Sequence, residues 1–126
     1  MSFSGKTILL VEDDMVSAIV ISSFLEEWNL SVHRAHNGAE AVRMIQEDMR
    51  FDLILMDISM PLMDGIQATA EIRKKEIRTP IIVVTGDSRD ADILAALSAG
   101  ANDYIFKPVS EKQLFHTVAK LLPMES

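Results

Sequence analysis

Cysteine is absent from all 126 residues, which excludes a disulfide framework, a thiolate metal site and a cysteine nucleophile, and fits a reducing compartment. No apolar run approaches the roughly 20 residues that a membrane-spanning helix needs. The opening stretch MSFSGKT has neither the apolar centre of a secretory signal nor a glycine in second position for myristoylation. A cytoplasmic protein without membrane insertion is expected. Basic residues are in the minority, 12 Lys and Arg against 19 Asp and Glu, and the net charge of -7 opposes attraction to a phosphate backbone. With no local Lys/Arg cluster to offset that charge, direct nucleic-acid binding is not expected. Repeats, low-complexity tracts and Pro/Gly-rich linkers are missing too.

What is present has the balance of a soluble globular domain, 48% hydrophobic and 25% charged. Its eight methionines read as core filler. The length suits one domain with a real core, so residues 1–126 are taken as a single domain with a short leader at 1–5 and no output domain.

Short apolar runs alternate with longer amphipathic segments, the pattern of strands and crossover helices in a parallel sheet. The expected strands are Thr7 to Val11, Leu30 to Ala35, Leu53 to Met56, Ile81 to Val84 and Tyr104 to Phe106. The second alternates Leu30 and Val32 with Ser31 and His33, which places it at a sheet edge. Between strands, Met15 to Trp28 sets Ala18, Ile21, Leu25 and Trp28 on one helical stripe. Ser110 to Leu122 does the same with Leu114, Val118 and Leu121. Asn37 precedes Glu40, and Ser110 precedes Gln113, at the spacing of a capping box. Gly100 is expected to stop a helix that begins near Ser88.

The informative residues stand where strands end. The first strand runs into Glu12 and Asp13, the third into Asp57, the fourth into Thr85 and the fifth into Lys107. In an open α/β sheet the carboxyl ends of parallel strands line one crevice, so these residues should converge. Three clustered carboxylates repel one another and are relieved by a hard divalent cation; Mg²⁺, which prefers carboxylate oxygens, waters and phosphate, fits. Lys107 offers a mobile cation and Thr85 a hydroxyl donor, both suited to phosphoryl oxygens. Acids, metal, hydroxyl and ammonium together describe phosphoryl transfer.

The segments LLVEDD (9–14), DLILMDISMPLMDG (52–65), IIVVTG (81–86) and AGANDYIFKP (99–108) closely resemble the receiver domains of two-component response regulators, of the chemotaxis-regulator-like single-domain kind. The resemblance implies a flavodoxin-like (βα)5 fold with a doubly wound, five-stranded parallel sheet in the order 2-1-3-4-5. It implies that Asp57 is the phosphoacceptor, taking the group from a phosphohistidine of a histidine kinase or histidine phosphotransfer protein. Glu12, Asp13, Asp57 and the backbone carbonyl of Ser59 would hold Mg²⁺, with Mn²⁺ able to substitute. Lys107 would pair with the phosphoryl group, Thr85 would move toward it, and Tyr104 would turn inward as the aromatic switch. Lys107–Pro108 would be a cis peptide. A downstream protein would read the face of helix four, strand five and helix five.

Several residues have plainer readings. Asp14 is a helix-start acid rather than a ligand. Asp64 and Gly65 start the third helix without any part in chemistry. Asp87, Ser88 and Asp90 cap the fourth, and Asp87 also stands where the family varies residues that tune phosphoryl lifetime. His33, His36 and His116 lack ligand spacing and read as surface residues. Tyr104, apart from the resemblance, is half-buried packing. Ser59 and Gly86 are less usual choices in the family and leave the dephosphorylation rate open.

The competing functions are weaker. An aspartyl-phosphate phosphatase usually carries a second Asp two residues after its nucleophile, where this chain has Ser59. A flavodoxin-type protein needs a phosphate loop after the first strand, which VEDDM would repel. A scaffold that is not phosphorylated would have lost acidic or lysine positions that are all present. The remaining alternative is a receiver excised from a hybrid kinase or multidomain regulator. The last helix has no Arg for arginine-based dimer contacts, and a monomer is expected.

Overall fold

The computed structural model describes residues 3–47, 50–60, 62–86 and 90–123. Strands and helices alternate along the chain: β1 (Thr7–Val11), α1 (Met15–Glu27), β2 (Ser31–Ala35), α2 (Gly38–Gln46), β3 (Leu53–Asp57), α3 (Gly65–Lys74), β4 (Ile81–Thr85), α4 (Asp90–Ala99), β5 (Asp103–Phe106) and α5 (Glu111–Leu121). All neighbouring strands pair in parallel, in the order β2-β1-β3-β4-β5. This is the flavodoxin-like arrangement expected, with β2 at an edge.

The pleat sorts the strand residues between two cores. Ile8, Leu10, Leu53, Leu55, Ile82 and Ile105 pack under Ala18, Ile21 and Leu25 of α1 and Leu114 and Val118 of α5. Their neighbours Leu9, Val11, Ile54, Met56, Ile81 and Val83 pack under Ala41, Ala68, Ile72 and Ala96 of α2, α3 and α4. Burial on both faces is why β1, β3 and β4 are apolar at 8–11, 53–56 and 81–84. The edge strand β2 instead exposes Ser31 and His33, and the His33 ring lies edgewise to that of Phe51 at a centroid distance of 5.9 Å.

Helix starts follow the capping residues. The side chain of Asp14 accepts from Ser17 N at 2.8 Å, Asn37 from Glu40 N at 2.8 Å and Ser110 from Gln113 N at 3.1 Å. Asp64 and Gln67 form a complete capping box. Gly100, at φ +117°, ends α4 in a conformation only glycine adopts readily. The expected caps at Asp87 and Ser88, and the side chain of Asp90, lie outside the described residues.

The boundaries differ from expectation by single residues, each for a local reason. Trp28, Ser110 and Leu122 are caps rather than helical residues. β2 begins at Ser31, whose N–H reaches Lys6 O, because Leu30 N turns back to Leu25 O. β5 begins at Asp103, paired with Ile82. β3 and β4 run one residue further, to Asp57 and Thr85, because both pair with the neighbouring strand. The segment read as a leader contributes Phe3, which is fully buried and packs its ring against Trp28 and Phe115.

Candidate functional site

Counting by twos along the pleat explains which side chains meet. Glu12 continues the parity of Ile8 and Leu10, Asp57 that of Leu53 and Leu55, and Lys107 that of Ile105, so all three emerge on the α1/α5 side at the carboxyl ends of β1, β3 and β5. Carboxylate oxygens of Glu12, Asp13 and Asp57 lie within 4.8 Å of one another. Lys107 Nζ stands 3.2 Å from Asp57 Oδ2 and 3.3 Å from Glu12 Oε1. The peptide between Lys107 and Pro108 is cis.

Glu12 is 1% exposed and Asp57 3%, whereas Asp13 faces solvent. Burial pushes the Glu12 carboxyl above its ordinary range, and the hydrogen bond to Asp57 and the charge of Asp57 push the same way. The Asp14 N–H and Lys107 oppose this without overcoming it. At Lys107 burial disfavours the ammonium, but the charges of Asp57 and Glu12 and their hydrogen bonds outweigh it and raise its pKa. Glu12 and Asp57 thus share one ammonium, with the Asp13 carboxylate beside them. The donors are hard oxygens, two of them desolvated, and the site carries uncompensated negative charge; this fits a divalent cation of the Mg²⁺ class.

Thr85, 3% exposed, ends β4 with the parity of Ile81 and Val83 and therefore turns to the α4 side. Its carbonyl accepts Lys107 N at 2.8 Å. Tyr104 and Phe106 flank Ile105 on β5 and point to that same side, paired with Val83 and Thr85. Tyr104 is 36% exposed, and its ring lies edgewise to Phe106 at 5.5 Å. It is outside the acidic cluster. Ser59 N donates to Asp57 Oδ1 at 3.2 Å, which orients the carboxylate from the loop that follows. The histidines take no part: His36 pairs with Glu40, and His33 and His116 are exposed.

Two residues of the site were not anticipated. Gly65 starts α3 as its sequence position predicts, but a Cβ there would also overlap the main-chain carbonyl of Asp57, so its missing side chain lets α3 seat against the end of β3. Arg34, on the edge strand, donates from Nε to Glu12 O at 3.0 Å and from Nη2 to Asp13 O at 3.2 Å. A glycine after aspartate is a weak signal of close approach, and a charged residue on an edge strand gives none.

Comparison with known proteins agrees with this geometry. The family model described as the response regulator receiver domain matches residues 8–119. Two-component response regulator ORR41 of Oryza sativa subsp. japonica is 39% identical over 116 residues, 90% of this chain and 91% of that protein. Two-component system protein A of Emericella nidulans is 41% identical over 117 residues, 91% of this chain but 17% of that protein. The chain likewise spans 13% of the LuxQ sensor kinase/phosphatase of Vibrio vulnificus. Among solved structures, the receiver domain of sensor histidine kinase PA1611 from Pseudomonas aeruginosa, with a magnesium ion coordinated in its active-site cleft, superposes with a TM-score of 0.85. It is 39% identical and covers 94% of this chain and 98% of its own. The receiver domain of Ssk1 from Saccharomyces cerevisiae, crystallised with the histidine phosphotransfer protein Ypd1, gives 0.84 at 29% identity, covering 96% of this chain and 91% of its own.

Proposed function

The chain belongs to the response regulator receiver family of two-component systems, and on that premise we propose that Asp57 is its phosphoacceptor, loaded from a phosphohistidine of a sensor kinase or histidine phosphotransfer protein. The observation that carries this reading is the contact of Lys107 with both Asp57 and Glu12 inside the acidic cluster.

An Asp57 carboxylate oxygen attacks phosphorus, the N–P bond of the donor breaks, and its electron pair returns to the imidazole, leaving an acyl phosphate. Lys107 faces the incoming oxygens and the Thr85 hydroxyl donates to them. Glu12, Asp13, Asp57 and the carbonyl of Ser59 would hold Mg²⁺, or Mn²⁺ in its place. The cation would neutralise charge developing on the phosphoryl oxygens. No free metabolite is turned over; the protein is a cytoplasmic signalling switch, acting as a monomer.

Two surfaces support a relay. Met15, Val16, Ile19 and Val20 of α1 are exposed beside the site, and an apolar groove runs from Val16 and Val20 to Lys107 and Pro108. A phosphohistidine protein approaching Asp57 would rest there, as the partnership of the similar Ssk1 receiver with Ypd1 also favours. Along the β5 edge, exposed Leu94 and Leu97 of α4 and Tyr104 of β5 belong to the face of α4, β5 and α5 that a downstream protein would read. Phosphorylation adds roughly one and a half to two negative charges beside Thr85 and Lys107. Movement of Thr85, which shares a side of the sheet with Tyr104, would let that ring turn inward and shift the population of the outer face.

A second setting, the receiver segment of a hybrid kinase or multidomain regulator, is favoured by the small share of several relatives that this chain spans.

Intact-mass analysis with acetyl phosphate and Mg²⁺ tests the assignment. Wild type is expected to gain one hydroxylamine-labile phosphoryl group and Asp57→Asn none; an adduct that persists on the variant would place the acceptor elsewhere.

A further inference from the structure

Burial holds two of the three clustered carboxylates in place. The third, that of Asp13, is exposed, and its position depends on the backbone that carries it. That backbone is pinned from β2. Glu12 N donates to Ala35 O at 3.0 Å, and the Arg34 guanidinium takes the carbonyls of both Glu12 and Asp13. Those carbonyls belong to the two peptide planes on either side of the Asp13 Cα, so one side chain sets both. Asp14 N, in the second of these planes, also donates to Glu12 Oε2 at 3.2 Å, coupling the clamped plane to a buried carboxylate.

We propose that Arg34 is a positioning residue for the divalent-cation seat: its forked contact with the Glu12 and Asp13 carbonyls keeps the exposed Asp13 carboxylate turned toward Glu12 and Asp57. The inference rests on the reading of that cluster as a Mg²⁺ site. Arg34 is paired with Leu10, two residues short of Glu12, so its side chain must reach forward along the strand about 7 Å before it divides between two acceptors. Arginine has that length and a planar fork, whereas lysine reaches with a single point donor.

The charge and the geometry of Arg34 act in opposite directions. A cation beside the cluster repels Mg²⁺, so if charge alone mattered, its removal would tighten binding. If the clamp matters, removal lets Asp13 swing away and weakens binding. Loss of a group that orients a metal ligand typically costs 10–100-fold in affinity; because Arg34 acts through the backbone, a loss of about tenfold is expected for Arg34→Gln and a smaller one for Arg34→Lys.

Calorimetric titration of MgCl₂ into wild type, Arg34→Gln and Arg34→Lys decides, with acetyl phosphate labelling followed as a function of Mg²⁺ concentration. The expected result is a higher dissociation constant in both variants and a matching rise in the Mg²⁺ needed for half-maximal labelling, with the wild-type rate recovered at saturating Mg²⁺. Unchanged or tighter binding in Arg34→Gln overturns the proposal. If thermal melts show that Arg34→Gln does not fold, Arg34→Lys decides by itself, and wild-type affinity in it overturns the clamp. Absence of Mg²⁺ uptake by wild type would instead overturn the reading of the cluster on which the inference rests.

Discussion

Gly65 lies so close beneath Asp57 that a methyl group on its Cα would overlap the Asp57 carbonyl oxygen, and Gly65 N donates to Ile58 O at 2.9 Å. The first turn of α3 and the end of β3 are therefore one packed unit. Gly65→Ala forces them apart and is expected to cost about 1–3 kcal/mol in urea unfolding, the usual range for overpacking. Because the displaced backbone carries the phosphoacceptor, labelling by acetyl phosphate should slow as well. A destabilised variant that labels at the wild-type rate would show that the contact serves packing alone.

The raised pKa of Glu12 has a definite sign for stability. A carboxyl whose folded pKa exceeds its unfolded value favours the folded state when protonated; that contribution is complete below the ordinary value of 4.5 and is lost as pH rises through the folded pKa. Above that ordinary range the metal-free protein thus carries the cost of holding this carboxyl buried beside Asp57. Glu12→Gln removes it and should melt higher than wild type in EDTA, by about 4 °C per kcal/mol relieved. The gap should close as pH falls below the ordinary carboxyl range, and narrow when Mg²⁺ is added to wild type. A variant that melts lower than wild type in EDTA at neutral pH would refute this.

Phe3, Trp28 and Phe115 form an aromatic trio, with ring centroids 5.8 Å apart for Phe3 and Phe115 and 5.0 Å for Trp28 and Phe115. Phe3 is completely buried. Phe3→Ala is expected to destabilise by about 3–5 kcal/mol, the range for an aromatic removed from a core. Trp28 is the sole tryptophan, so its emission should shift to the red in the folded variant. Unaltered emission would mean that residue 3 does not cover that ring.

Arg73 joins α3 to the far end of the sheet. Its guanidinium donates to Gly100 O at 3.0 Å, to Ile77 O and Thr79 O at 2.8 Å, and to Asn102 Oδ1 at 2.9 Å. Arg73→Met is expected to lose roughly 2–3 kcal/mol in denaturant unfolding, since these acceptors lose a charged donor. These contacts sit at the amino ends of β4 and β5, opposite the acidic cluster, so labelling at saturating Mg²⁺ should be unchanged. A large fall in labelling would reveal coupling between the two ends of the sheet.

Local chemistry was sufficient, in the sequence alone, for the order of elements, the β2 edge and the cap residues Asn37, Asp64 and Ser110. Side-chain period and capping operate within a few positions of one another, so their signals survive without the fold. The same holds for the polar residues at strand ends, because a strand that leaves the core announces its end by changing polarity. Only the tertiary structure decided that Glu12 and Asp57 share Lys107, that Arg34 reaches the carbonyls beside Asp13, that Gly65 touches the Asp57 backbone and that Phe3 is core. Each of these depends on strand register and helix docking between segments far apart in the chain. A single residue read in its local surroundings carries no trace of the partner that packing will bring to it.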